Sequence, residues 1–257
     1  MRLKVLMIGN SFSKSVTKQF PQLVAASGLS LKLCSLYIGG CPLWLHVENV
    51  LETAADPEAV QYDVDEYETG AEPVAGRGSV NRLLTQDAWD IVTIQQASQE
   101  CWNYANYQPY AKQLIGFVRR LCPGAEIVIQ ETWAYNTVAP RLEAWGFGQR
   151  GMHERLVACY GMLAAETGFR VIPTGDAVQI FREQNPGLPD PVNGVEGGDT
   201  IHLTNPAGTY LQACVWLAKL YGRNPIGAGY VPDTLPPEHA AALQNAAWEA
   251  VRRSRWR

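Results

Sequence analysis

A chain of 257 residues, 47% hydrophobic and 18% charged, is long enough to bury the core of one large α/β domain and needs no second. Its formal net charge of −4 lacks the positive field that non-specific binding to nucleic acid or an anionic membrane requires, and no apolar run approaches the roughly 20 residues of a membrane span. Six cysteines (Cys34, Cys41, Cys101, Cys122, Cys159 and Cys214) stand far apart without a C-x-x-C pair, which argues against a zinc knuckle or a redox pair and for reduced thiols in a cytoplasm.

In chain order, the opening "MRLKVLMIG" has too short an apolar run for a signal peptide, and no small-residue cleavage site follows. A soluble, cytoplasmic protein is expected. Residues 3–9, 31–37, 90–95, 126–132 and 169–173 are short, apolar and rich in β-branched residues, the signature of strands buried on both faces of a parallel sheet. Between them, residues 17–26, 107–121, 148–167 and 204–221 carry apolar side chains at three- and four-residue intervals, as helices do. Alternating strands and helices give right-handed crossovers, hence a parallel sheet covered on both faces, with ligands beyond the carboxyl ends of the strands. Residues 48–76 hold nine acidic residues, from Glu48 to Glu72, and no Lys or Arg. A like-charged run of this kind is expected to be a solvated surface insertion, with a lid or an oligomer contact as the sharper reading. Residues 236–257 read as an Ala-rich helical extension whose terminal "RRSRWR" puts cations at a helix C-terminus. The whole chain, 1–257, is thus expected to be one domain.

Proton transfer near neutral pH usually needs an imidazole, and only His46, His153, His202 and His239 are available. His239, in "PPEHAAAL", reads as a solvated residue at a helix start. His153 is followed by Glu154, but Val157 stands where H-E-x-x-H needs its second histidine, which excludes that zinc motif. His46, in "CPLWLHVENV", reads as structural or substrate-facing. His202 differs, because "GGDTIHLTNPAG" places Asp199 three residues before it in a Gly-rich loop. One loop therefore offers an imidazole and a carboxylate to orient it.

At the other end of the chain, "VLMIGNSFS" stops an apolar strand at Gly9 and presents Asn10 and Ser11. A serine hydroxyl needs a base to become a nucleophile, and the topology puts Ser11 and His202 on the same sheet edge. The ends of two further strands, "YIGGCP" with Gly39 and Gly40 and "IQQAS" with Gln95 and Gln96, offer hydrogen-bond donors for an oxyanion.

With these residues in place, the chain resembles the SGNH/GDSL hydrolase superfamily over roughly residues 3–222. "IGNSFS" resembles the first block, with Gly-Asn-Ser in place of Gly-Asp-Ser; "IGGC" resembles the glycine block; Asp199 to His202 resembles the final D-x-x-H block. The third block departs, since G-x-N-D is missing and "TIQQASQ" is similar to the Q-G-E-S variant of carbohydrate O-acetylesterases. The resemblance implies an α/β fold, a flavodoxin-like three-layer α/β/α sandwich on a parallel five-stranded sheet of order 2-1-3-4-5, without metal or cofactor. It also implies Ser11, His202 and Asp199 as catalytic residues, and Ser11, Gly40 and Gln95 around the oxyanion, with Gln96 as second choice.

The function expected is a serine esterase acting through an acyl-enzyme on a small-molecule or oligosaccharide ester, releasing small acyl groups such as acetyl from carbohydrate. Asn10, Trp133 and Tyr135 are expected to face that substrate, the rings by stacking on sugar. A non-catalytic carbohydrate-binding module and a lipid esterase or thioesterase are the alternatives. Neither a nucleic-acid nor a membrane partner is expected, and a homo-oligomer is left open. The G-x-G-x-x-G of "GFGQRG" (146–151) is set aside as a dinucleotide site because no strand leads into it. The G-x-S-x-G elbow is absent, Ser13 standing at its last position.

Overall fold

The computed structural model describes residues 2–255. The first half of the chain runs β1 (Arg2–Gly9), α1 (Ser11–Lys14), α2 (Phe20–Ala26), β2 (Ser30–Tyr37), α3 (Leu43–Ala55), β3 (Tyr62–Glu68), β4 (Val74–Gly78), α4 (Val80–Gln86) and β5 (Ile91–Ile94). The second half runs α5 (Tyr110–Leu121), β6 (Glu126–Gln130), α6 (Pro140–Ala144), α7 (Gln149–Thr167), β7 (Val171–Ile172), α8 (Thr174–Gln184), α9 (Ala207–Tyr221) and α10 (Pro237–Arg253).

The strands form one sheet of order β4-β3-β2-β1-β5-β6-β7. Strand β1 pairs in parallel with both β2 and β5, in register from Arg2 with Ser30 to Gly9 with Tyr37 on one side. Its residues from Val5 to Gly9 are all buried, as a strand covered on both faces requires. Helices α2, α8, α9 and α10 pack together, as do α3, α4 and α5. Among the described residues, no helix is long and apolar enough to cross a membrane.

The sheet corrects the five-strand expectation in count and order. The two extra strands come from the acidic segment, which is no loose insertion: β3 pairs antiparallel with β2, and β4 with β3. Tyr62 and Val64 point into the core while Asp63 between them is exposed, the period-2 alternation of a half-buried strand. The expected C-terminal helix ends at Arg253, and Trp256 and Arg257 of the predicted extension lie outside the described residues. His239 corrects another expectation. It is 5% exposed and stacks on Phe181 at 5.5 Å, and burial lowers its imidazole pKa. The "GFGQRG" stretch joins α6 to α7 with no strand before it.

Candidate active site

Four strand ends meet around Ser11. Strand β1 stops at Gly9, where a Cβ would come within 2.3 Å of Ser13 Oγ and 3.4 Å of Gln95 Cδ, so a side chain there would collide with the turn that carries the serine. Asn10 then caps α1. Its Oδ1 accepts from the Phe12 N–H at 3.0 Å and from Gln95 Nε2 at 2.7 Å, and its Nδ2 donates to the Cys41 carbonyl at 3.0 Å. Asn10 thus ties together the ends of β1, β2 and β5, and an amide suits the place because a carboxylate could not donate to Cys41. From below, Gln130 and Gln212 both donate to the Phe12 carbonyl, at 3.0 and 2.9 Å.

The imidazole arrives on the loop before α9. His202 Nε2 lies 2.9 Å from Ser11 Oγ, and its Nδ1 lies 3.2 Å from each oxygen of Asp199. A carboxylate facing Nδ1 fixes the proton there and leaves Nε2 as the acceptor that faces the serine hydroxyl. Burial opposes the charge on Asp199, but the Ile201 and His202 N–H groups, the imidazole and the Asn193 amide outweigh it and hold the carboxyl below its usual range. Asn193 grips the loop twice: its side chain donates to Asp199 Oδ2 at 3.0 Å, and its N–H donates to the His202 carbonyl at 2.8 Å. Trp133 Nε1 holds the Ile201 carbonyl at 2.9 Å.

Two open cavities meet at this row. One, of about 440 Å³, is lined by Ser11 and His202 with Lys14, Lys18, Tyr37, Asp65 and Tyr67. There Lys14 pairs with Asp65 of β3 at 2.6 Å and lies over the Tyr37 ring at 4.7 Å. The other, of about 410 Å³, shares Ser11, Tyr37 and His202 and adds Gly39, Gly40, Ser98, Gln99 and Arg141. Gly40 takes φ +64°, a left-handed conformation open to glycine, and Gln99 Nε2 donates to its carbonyl at 3.0 Å. Among the described residues, the N–H groups of Ser11 and Gly40 have no acceptor.

The structure therefore brings Ser11, His202, Asp199 and Gly40 to one edge, and it corrects the substrate-facing set. Trp133 and Tyr135 are fully buried, Trp133 stacked on Phe12 at 4.2 Å and Tyr135 bonded to Ser98 Oγ at 2.9 Å. They form the floor of the site and offer no face to a sugar. Asn10, 1% exposed, lines the second cavity beside Ser11, but its amide bonds the protein itself and positions Ser11. Gln95 is buried behind Asn10 and lines neither cavity. Gln96 turns away, donating to the Asn106 carbonyl at 2.8 Å and accepting from the N–H groups of Leu43 and Ala97. Gln99, Arg141 and Asn193 escaped sequence reasoning. Only Gln99 had a signal, as the third glutamine in "QQASQ" at a strand end.

His46 faces Cys41 Sγ at 3.5 Å and Tyr62 Oη at 2.9 Å, but all three are fully buried. Burial raises the Cys41 thiol to about 12 and lowers the His46 imidazole to about 3. His153 bonds Asp176 at 3.2 Å, away from Ser11, and burial lowers it to about 4.

Comparison with known proteins agrees with this geometry. A family model described as a domain of unknown function, DUF4886, matches residues 4–250. The crystal structure of a DUF4886 family protein from Bacteroides uniformis is 29% identical, with 98% of this chain and 96% of that one covered and a TM-score of 0.89. A protein from Slackia heliotrinireducens provisionally described as an SGNH hydrolase is 20% identical, over 86% of this chain and all of that one, at a TM-score of 0.58. A protein from Parabacteroides merdae provisionally described as a GDSL-like lipase is 12% identical, over 84% and 94%, at 0.52. The fold is thus that of the SGNH/GDSL superfamily. No curated protein matches the chain.

Proposed function

Because the chain belongs to the DUF4886 family and has the fold of SGNH/GDSL hydrolases, we propose that it is a serine hydrolase of carboxylic esters. The observation that carries this reading is the row from Ser11 Oγ to His202 Nε2, 2.9 Å, and from His202 Nδ1 to Asp199, 3.2 Å, open to solvent at the edge of two cavities.

In the reaction, His202 Nε2 accepts the Ser11 proton as Oγ bonds to the ester carbonyl carbon, and Asp199 stabilises the imidazolium that results. The carbonyl electron pair moves onto oxygen, where the Ser11 and Gly40 N–H groups receive it. Collapse expels the alcohol, which takes the proton from His202. Water then repeats the sequence on the acyl-serine and releases the acid. The net change is ester plus water to acid plus alcohol.

Within this class we favour small acyl groups on a polyhydroxylated alcohol such as carbohydrate. The glutamine block supports it, and so does the cavity wall: Lys14, Lys18 and Asp65 flank the serine, and a long acyl chain laid there would strip water from those charges without repaying it. Tyr37 and Tyr67, which line that cavity, take over the sugar-facing part expected of Trp133 and Tyr135.

Incubation with 4-nitrophenyl acetate and 4-nitrophenyl palmitate tests the reading. Release from the acetate by wild-type protein, and none above background by Ser11→Ala with an unchanged melting temperature, is expected. Faster release from palmitate would favour a lipid esterase, and release from neither ester would favour a binding module.

A further inference from the structure

The cavity that carries Gly40 holds a cation and no carboxylate, whereas its neighbour mixes Lys14 and Lys18 with Asp65. The cation is Arg141, while Lys14 in the adjoining cavity is neutralised by Asp65. Arg141 sits on the first turn of α6, exposed to solvent, and among the described residues it pairs with no carboxylate. Other arginines here show what a satisfied guanidinium looks like. Arg170 holds Glu126 by two bonds of 2.6 and 2.7 Å, and Arg182 holds Asp190 at 2.9 and 3.1 Å, the fork geometry that suits a planar carboxylate. The Arg141 fork is left for an incoming group.

Its position is supported from behind. Tyr135, buried under the cavity, bonds Ser98 Oγ at 2.9 Å. Burial raises its phenol, and the guanidinium of Arg141, in reach of the same oxygen, works against that shift. A cation beside a buried phenol loses less freedom on binding than one surrounded by water alone.

On the reading of this site as an ester hydrolase, we propose that Arg141 is a specificity-determining residue that binds a carboxylate on the substrate, so that the preferred esters carry an acid group near the scissile bond. A carboxylate on either side of the ester could meet the fork, and two isosteric pairs of rigid esters separate the sources. 4-Acetoxybenzoate against 4-acetoxybenzamide places the charge on the alcohol. Mono-(4-nitrophenyl) terephthalate against 4-nitrophenyl 4-carbamoylbenzoate places it on the acyl group.

For one pair, kcat/KM for the anion should exceed that for the neutral partner about tenfold or more, through KM. Arg141→Gln should bring this ratio to about one, and Arg141→Lys, which keeps charge without the fork, should fall between. Ratios near one for both pairs in wild-type protein, or a ratio unchanged in Arg141→Gln, would overturn the inference while leaving the hydrolase reading standing. Calorimetric titration of Ser11→Ala with the four esters supplies a readout independent of turnover. Binding of an anion that disappears in Ser11→Ala/Arg141→Gln supports the inference even if wild-type protein hydrolyses no ester. Equal binding by both proteins contradicts it.

Discussion

Two imidazoles of this protein sit beside a nucleophilic side chain, His202 beside Ser11 and His46 beside Cys41, within hydrogen-bonding range in each case. The His202 side chain is 40% exposed and has a carboxylate on its far nitrogen. His46 is fully buried, faces the Tyr62 hydroxyl, to which Asn49 donates, and its Nε2 has no partner among the described residues. Burial without a counter-charge disfavours both ions, so thiol and imidazole stay neutral and the Cys41 cluster can only pack. Beside Asp199, an imidazolium has a partner waiting. The difference lies in solvent and carboxylate, which decide whether a proton can be taken and held.

The largest expected effect comes from removing that carboxylate. Asp199→Asn should lower kcat for 4-nitrophenyl acetate by about 10²- to 10⁴-fold, because an amide no longer fixes the Nδ1–H tautomer; wild-type rates would erase the distinction between the two clusters. Since the Asp199 pKa is depressed in the folded protein, the stability it lends is complete above the unfolded value of about 3.9 and is lost as pH falls through the folded value.

Next comes the support of the serine. Gln95→Ala removes the 2.7 Å bond to Asn10 Oδ1 and should reduce kcat by about tenfold with little change in KM, as a misplaced nucleophile does. A loss below about threefold in steady-state assays would show that Asn10 holds Ser11 without it.

A second carboxylate sharpens the point about burial. Glu131 is fully enclosed, and burial, with Asp176 nearby, raises its pKa well above the ordinary value while the N–H groups of Asp176 and Gly175 oppose the rise. A raised carboxyl pKa means the folded protein binds that proton more tightly than the unfolded chain, so its contribution is fullest at low pH and declines as pH rises past the unfolded value of about 4.3. Glu131→Gln keeps an acceptor for the Asp176 N–H, 2.8 Å away in the parent, and removes the titration. Thermal melts from pH 4 to pH 8 should show the variant gaining on wild type as pH rises; a constant or reversed difference would contradict this.

The smallest effect is expected where chemistry is suppressed. Cys41→Ala should leave kcat within about threefold and lower stability by roughly 1 kcal/mol, as loss of a small buried side chain does. Abolished turnover by a folded variant would put the buried cluster into the mechanism.

Much of this molecule was legible in its sequence, for reasons that particular residues make plain. The five apolar segments expected as strands lie adjacent in the sheet because buried parallel strands are apolar on both faces, and Ser11 with His202 followed from the rule that ligands gather at strand carboxyl ends. The β3–β4 hairpin was hidden because its charges masked the alternation of Tyr62 and Val64 with Asp63 and Asp65. Helices α3, α4 and α8 were missed between stronger patterns. Trp133 and Tyr135 misled, since aromatic content near a strand end does not say which way a ring faces. Asn193 reaches the site from a distant loop and Arg141 from the short helix α6, and neither has a local pattern to announce it.

Labelling with a fluorophosphonate probe, followed by mass spectrometry of the modified peptides, tests the central claim most directly. One adduct per chain, on Ser11, formed by native protein and absent in Asp199→Asn over the same interval, is the result expected. Modification elsewhere, or hydrolysis of 4-nitrophenyl acetate that persists while Ser11 remains unlabelled, would contradict the claim that His202 activates this serine.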